Sequence, residues 1–299
     1  MTQTPNIFVL PDDADAVRLD RFVADRLGQS RAQVRKLLDA GAVLLNSQSI
    51  DKPGTLLQSG DVIQIDPQIL EQSQSIAPNP DLHIPVLFEN ANLLIVNKPA
   101  GIGVHPLNPQ QTDTVLNGLI TQYPQIQDVG EGALRSGVIH RLDVTTTGTL
   151  MIALTKQGYN IGRRAITSKQ YTLKRYRAII HGKPKRDTQT LHRNLIIAQH
   201  QPAKVRVIAD PTTQSRSCSM SYAVIRSVKN MSDISVDLQS GFLHQIRVMM
   251  ADLGHPIVGD TLYGSTRDDC RVMLHAQRIK FDDIDVIAPI PDEMKNALD

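Results

Sequence analysis

The stretch His140-Arg141-Leu142-Asp143-Val144-Thr145-Thr146-Thr147-Gly148 places one carboxylate among basic and hydroxyl side chains, with no second acid within several residues. A lone ionised carboxylate beside a cation can act as a nucleophile or as a general base. On spacing alone, an Asp in such a segment more often caps a turn.

Three other stretches shift that balance. In Lys174-Arg175-Tyr176-Arg177-Ala178 a tyrosine on a predicted strand is flanked by cations, so the ring can stack on a nucleobase while Lys174, Arg175 and Arg177 hold phosphates. In Gly241-Phe242-Leu243-His244-Gln245-Ile246-Arg247 the helical spacing puts His244 and Arg247 on one face. An arginine there can pair with a buried carboxylate and keep it ionised. The loop Asn97-Lys98-Pro99-Ala100-Gly101 is restricted by its Pro and Gly.

The elements that must carry these residues are legible in outline. Leu93–Val96 reads as a buried strand, residues 114–123 as a short helix and 149–155 as the strand that follows the Asp143 motif. Tyr171–Ile180 alternates as a strand. Residues 218–228 and 233–241 read as paired strands, and 243–254 as a helix stopped by Gly254. Strands and helices mix without βαβ alternation. The expected class is therefore α+β, with a mixed, largely antiparallel sheet and flanking helices.

Ahead of this lies a smaller unit. Leu19, Phe22, Val23 and Leu27 recur at helical spacing. A second helix follows Ser30, its expected N-cap, with Val34, Leu37 and Leu38 as its apolar face and Gly41 as its stop. Two short strands close the unit. The helices carry Arg18, Arg21, Arg31, Arg35 and Lys36, cations suited to a phosphate backbone. The expected boundaries are 1–66 for this unit, 67–83 for a linker rich in Gln, Ser, Pro and Asn, and 84–299 for the larger domain.

Bulk composition sets few limits. The 299 residues carry a net charge of only +2, but ten Lys or Arg and no Asp or Glu lie between Lys156 and Arg186, whereas the last eighteen residues are acidic. Segregated charge lets one face attract phosphates. No apolar run is long enough to cross a bilayer, and the N-terminus does not read as a secretory signal. Cys218 and Cys270 read as reduced thiols that pack. These features give a cytoplasmic expectation with no membrane partner.

Taken together, the motifs around Asp143, Asn97–Pro106, Tyr176, Arg247 and His255–Gly264 resemble the RluA-type pseudouridine synthases, in order and in spacing. The leading unit resembles the RNA-binding domain shared with ribosomal protein S-four. The resemblance implies isomerisation of uridine in RNA without metal or cofactor. Asp143 matches the family's essential carboxylate, a nucleophile towards the sugar or a base for a ribose proton. Arg247 matches its ion-pair partner, Tyr176 the ring stacked on uracil, and Arg141 the side chain that enters the RNA stack when the nucleotide flips. The leading domain implies ribosomal RNA ahead of transfer RNA, and a monomer is expected. Val144-Thr145, Phe242-Leu243 and Leu154 replace residues that are commonly polar or basic in the family. They remove charge near the cleft and leave Asp143, Tyr176 and Arg247 untouched.

Other classes fit less well. A non-catalytic RNA-binding protein on this fold would explain the lost cations. A glycosidase needs a second acid across a cleft, and Asp260 is the one motif-borne candidate. A kinase needs His-Arg-Asp in that order, but the chain has His-Arg-Leu-Asp.

Overall fold

The computed structural model describes residues 6–11, 16–29, 31–168 and 172–298. Ser30 and Tyr171, the expected cap and strand start, lie outside them. The chain divides into two compact units, residues 1–76 with 107–110, and residues 77–106 with 111–299.

The first unit comprises β1 (Asn6–Val9), α1 (Leu19–Leu27), α2 (Arg31–Asp39), β2 (Val43–Leu45), β3 (Gln48–Ser49), β4 (Val62–Ile65) and α3 (Pro67–Gln74). The sheet order is β1-β4-β2-β3. Leu19, Phe22 and Val23 of α1 meet Val34, Leu37 and Leu38 of α2 in a core closed by Ile63 and Ile65. Gly28, left-handed at φ 63, ends α1. The polar composition of residues 67–83 conceals a helix: Asp66 Oδ1 accepts from Gln68 N and Ile69 N, and Pro67 supplies a first helical position that needs no donor.

The second unit comprises β5 (Val86–Glu89), β6 (Leu93–Lys98), α4 (Val115–Gln122), β7 (Thr147–Ala153), α5 (Lys156–Thr167), β8 (Thr172–His181), β9 (Thr188–His200), β10 (Ala203–Ile208), β11 (Arg216–Val228), β12 (Met231–Leu238), α6 (Gln245–Asp252), β13 (Leu274–Phe281), β14 (Ile284–Ile287) and α7 (Asp292–Asn296). One ten-stranded sheet runs β10-β9-β11-β12-β8-β13-β7-β6-β5, with β14 on β13. Pairing between the strands of this sheet is antiparallel except between β13 and β7, in agreement with the expected class.

The β7–β13 contact explains the glycine of the Asp143 motif. Gly148 sits at φ +111, and a Cβ there would lie 2.1 Å from Ala276 O. Its neighbours lock the same junction: Thr147 Oγ1 lies 2.8 Å from His275 Nδ1, and Thr149 Oγ1 donates to Ala276 O. β7 is buried along its whole length, so the turn before it emerges from a rigid strand.

Candidate active site

Asp143 stands in the turn that feeds β7, where Thr146 N donates to Asp143 O at 3.0 Å. A buried lysine fastens that turn to the neighbouring loop. Lys98, at the end of β6, is 0% exposed, and its Nζ donates to Pro99 O, Val144 O and Thr146 O at 2.8, 3.1 and 3.1 Å. Gly101 N adds a second bond to Val144 O. Burial pulls the Lys98 pKa down to about 8, against the nearby Asp143 charge. Sequence reasoning saw only a restricted loop here. A lysine closing an apolar strand immediately before Pro was the available signal.

Across the groove Arg247 projects from α6. Its Nη1 lies 3.0 Å from Asp143 Oδ2, joining residues 104 positions apart. Its Nε and Nη2 grip Asp260 at 2.7 and 2.9 Å, and Asp260 is 1% exposed. Burial opposes the guanidinium charge, but the bonds and charges of Asp260 and Asp143 outweigh it and raise the Arg247 pKa. Asp260 is thus the buried anchor of Arg247, which removes it as the free second acid of a glycosidase. Its position in a turn motif gave no hint of this pairing.

Tyr176 lies on β8 and lines the groove with Asp143, Arg141, Phe242 and Arg247. Burial, then the Asp143 charge, push its phenol pKa up, so the ring meets a ligand as a neutral phenol. Lys174 shares the face of Tyr176, because strand residues alternate. Arg175 and Arg177 alternate to the other face. Arg175 is forked onto Asp237 at 2.7 and 2.8 Å, and Arg177 onto Asp233 at 2.8 and 2.5 Å, both acids from β12. The expected ring of phosphate-holding cations around Tyr176 therefore reduces to Lys174.

The helix expected from 243 begins at Gln245. His244 precedes it in the left-handed region, at φ 52 and ψ 21, so it shares no helical face with Arg247. It still reaches the same acid, with Nε2 3.8 Å from Asp143 Oδ2. His140 is structural: its Nε2 accepts from Met151 N, and burial lowers its pKa to about 3. His105 Nδ1 has no partner among the described residues. Arg141, which lines the groove, is exposed, and Val144 is exposed as well.

In the first unit Asp20 is buried, and both Arg18 and Arg31 pair with it. The Arg18 bond leads the lowering of its pKa to about 2. Arg35 pairs with Asp39, and Lys36 Nζ donates to Leu107 O. Arg21 is exposed. Among the described residues no group of His, Cys, Asp and Glu is placed to hold a metal ion, and no helix is long and apolar enough to cross a membrane.

Residues 92–252 match the family of RNA pseudouridylate synthases, and residues 17–63 match the S4 domain. An uncharacterized RNA pseudouridine synthase of Synechocystis sp. is 31% identical to the chain over 285 residues, covering 94% of the chain and 85% of the relative. The chain belongs to the RNA pseudouridylate synthase family. A ribosomal large subunit pseudouridine synthase D of Vibrio cholerae is 30% identical, covering 93% of this synthase and 89% of the relative. In fold, this synthase is similar to the human RNA pseudouridylate synthase domain containing 4, with a TM-score of 0.59 and 19% identity over 72% of the chain and 91% of that structure. The synthase isomerises uridine to pseudouridine in RNA and carries an S4 RNA-binding domain.

Proposed function

We propose that the substrate is large-subunit ribosomal RNA and that Asp143, Tyr176 and Arg247 carry the isomerisation. The observation that bears most weight is the 3.0 Å pair between Asp143 and Arg247 in a groove walled by Tyr176. A carboxylate near RNA phosphates is repelled by them, and the fixed guanidinium relieves that repulsion. Asp143 attacks the ribose or removes one of its protons, and the uracil–ribose bond breaks. The base turns while stacked on Tyr176, and its carbon 5 bonds to the sugar as the Asp143–sugar bond breaks or the ribose proton returns. Carbon 5 then loses its proton and the freed N1 takes one up, so nothing is consumed. Arg141, exposed at the groove mouth, enters the stack vacated by the flipped nucleotide, and Lys174 meets a phosphate. Arg21, Arg35, Lys36, Arg18 and Arg31 grip the RNA backbone.

The ribosomal assignment draws on relatives named as ribosomal large subunit synthases, together with the S4 domain. A ribosomal RNA substrate supports a cytoplasmic location. The domain limits that fit this division of labour are 1–66 for RNA binding and 84–299 for catalysis.

The test is genetic and chemical. The gene is deleted, and pseudouridine is mapped in total RNA by carbodiimide stops. Loss of sites in large-subunit RNA is expected, restored by wild type and not by Asp143→Asn, whose turnover falls about a thousandfold or more. Restoration by Asp143→Asn would favour a non-catalytic binding protein, and loss confined to transfer RNA would overturn the substrate.

A further inference from the structure

Three polar groups lead in a line to the Asp143 carboxylate. Val205 N, on β10, donates to Tyr263 Oη at 2.9 Å. Tyr263 Oη lies 2.9 Å from His244 Nδ1, and His244 Nε2 faces Asp143 Oδ2 at 3.8 Å. The two rings meet edge to face, with centroids 5.7 Å apart. Tyr263 closes the short turn Thr261–Tyr263 that follows Asp260, and the Arg247 guanidinium lies 5.2 Å above its ring.

Counting protons favours one imidazole tautomer. A phenol has one proton, and Tyr263 Oη already accepts the Val205 N–H. His244 Nδ1 is the acceptor within reach for that proton among the described residues. Nδ1 is therefore the bare nitrogen of neutral His244, and the ring proton sits on Nε2, facing Asp143. The opposite tautomer would make Tyr263 Oη accept twice, leave its proton without an acceptor among the described residues and turn a lone pair towards a carboxylate. The backbone fits a functional demand, since the left-handed region is strained for a non-glycine residue, and that conformation takes His244 off the helix.

We propose that Tyr263 and His244 are positioning residues for the isomerisation: the relay from Val205 aims the His244 Nε2–H at Asp143 Oδ2, which Arg247 also holds, so that Oδ1 is presented to the ribose. This rests on the assignment of Asp143 as the reacting acid. The 3.8 Å separation closes to a hydrogen bond when RNA fills the groove, as contacts to a reacting group commonly tighten on binding.

Full-length variants are compared on large-subunit ribosomal RNA from the deletion strain, by single-turnover pseudouridine formation and by filter binding. Tyr263→Phe keeps the ring and removes the donor. Its rate is expected to fall about tenfold, the worth of one hydrogen bond, with RNA affinity within about twofold of wild type. His244→Gln puts an amide N–H near the place of Nε2 without needing Tyr263. It is expected to keep most of the rate, whereas His244→Leu loses it. Adding Tyr263→Phe to His244→Gln is then expected to cost nothing further. A Tyr263→Phe rate equal to wild type overturns the relay, as does an equal loss from Tyr263→Phe in the wild-type and His244→Gln backgrounds, because either result reduces Tyr263 to packing. Should Tyr263→Phe lower the melting temperature, the comparison within the His244→Gln background, made below melting, decides. Wild-type turnover by Asp143→Asn would instead remove the catalytic assignment on which the relay rests.

Discussion

At the scale of single residues, Arg247 has two duties that mutation can separate. Two of its nitrogens neutralise buried Asp260, and the third holds Asp143. Removing the guanidinium leaves Asp260 charged and unpaired in the interior, at a cost of about 3–5 kcal/mol. Arg247→Met is therefore expected to lower the melting temperature and abolish turnover together. Adding Asp260→Asn removes the stranded charge. The double variant is expected to recover much of the melting temperature and stay inactive, because Asp143 still lacks its cation. Thermal melts and single-turnover assays of the pair check this, and activity regained by the double variant would reduce Arg247 to a structural tie. The Asp143–Arg247 pairing was legible in the sequence because each residue sits inside its own motif. The second pairing was not, since a carboxylate in a Gly-Asp turn reads as a turn former, and only the fold shows which side chain it faces. Arg175 and Arg177 were misread for a related reason. Strand alternation assigns them to the face opposite Tyr176, but their acid partners lie some sixty positions away on β12.

At the scale of elements, the acid's position depends on how β6 ends. Lys98 ties three carbonyls of two loops together, and it needs all three hydrogens of an ammonium to do so. Its pKa is drawn down to about 8 from 10.5. Above pH 8 the neutral amine has two donors for three acceptors, so the Asp143 turn loosens. Turnover is expected to fall on the alkaline side with an apparent pKa near 8, and Lys98→Met, slower throughout, is expected to lack that limb. A rate–pH series from 6 to about 10 checks both, and an unchanged limb in the variant would assign it to another group. Stability has its own sign. Between pH 8 and 10.5 the unfolded chain binds more protons at this lysine than the folded one, so the lysine's contribution to stability rises with pH across that window. Below the window, holding the charge in the interior costs roughly 3 kcal/mol relative to an exposed lysine. β6, α4, β7 and the β11–β12 pair were legible from periodicity, whereas β5, α5, β9, β10, β13, β14 and α7 were not read. β1 and β3 were not, being short edge strands with little alternation. α3 was hidden by polar composition, although the Asp66-Pro67 cap was in plain sight.

At the scale of the whole molecule, a net charge of +2 must be reconciled with a polyanionic substrate. Pairing decides which cations are available. In the S4 unit Arg18 and Arg31 serve the buried Asp20, so replacing either weakens the unit itself as well as any grip on RNA. Arg21 is exposed, and the Arg35–Asp39 pair is solvent-exposed, a kind worth at most about 1 kcal/mol and readily exchanged for a phosphate. Arg21→Ala with Arg35→Ala should therefore leave the fold intact and remove about two phosphate contacts. Each contact contributes roughly 0.7–0.9 to the slope of log affinity against log salt. Filter binding between about 50 and 200 mM salt is expected to show the slope of the double variant reduced by about 1.5, with affinity falling most at low salt. The single-turnover rate at saturating RNA should match wild type, on the proposal that these side chains hold the substrate and take no part in the isomerisation. An unchanged slope would mean that the S4 unit meets RNA through other groups. A reduced rate at saturation would mean that its grip also sets how the uridine enters the groove of Asp143.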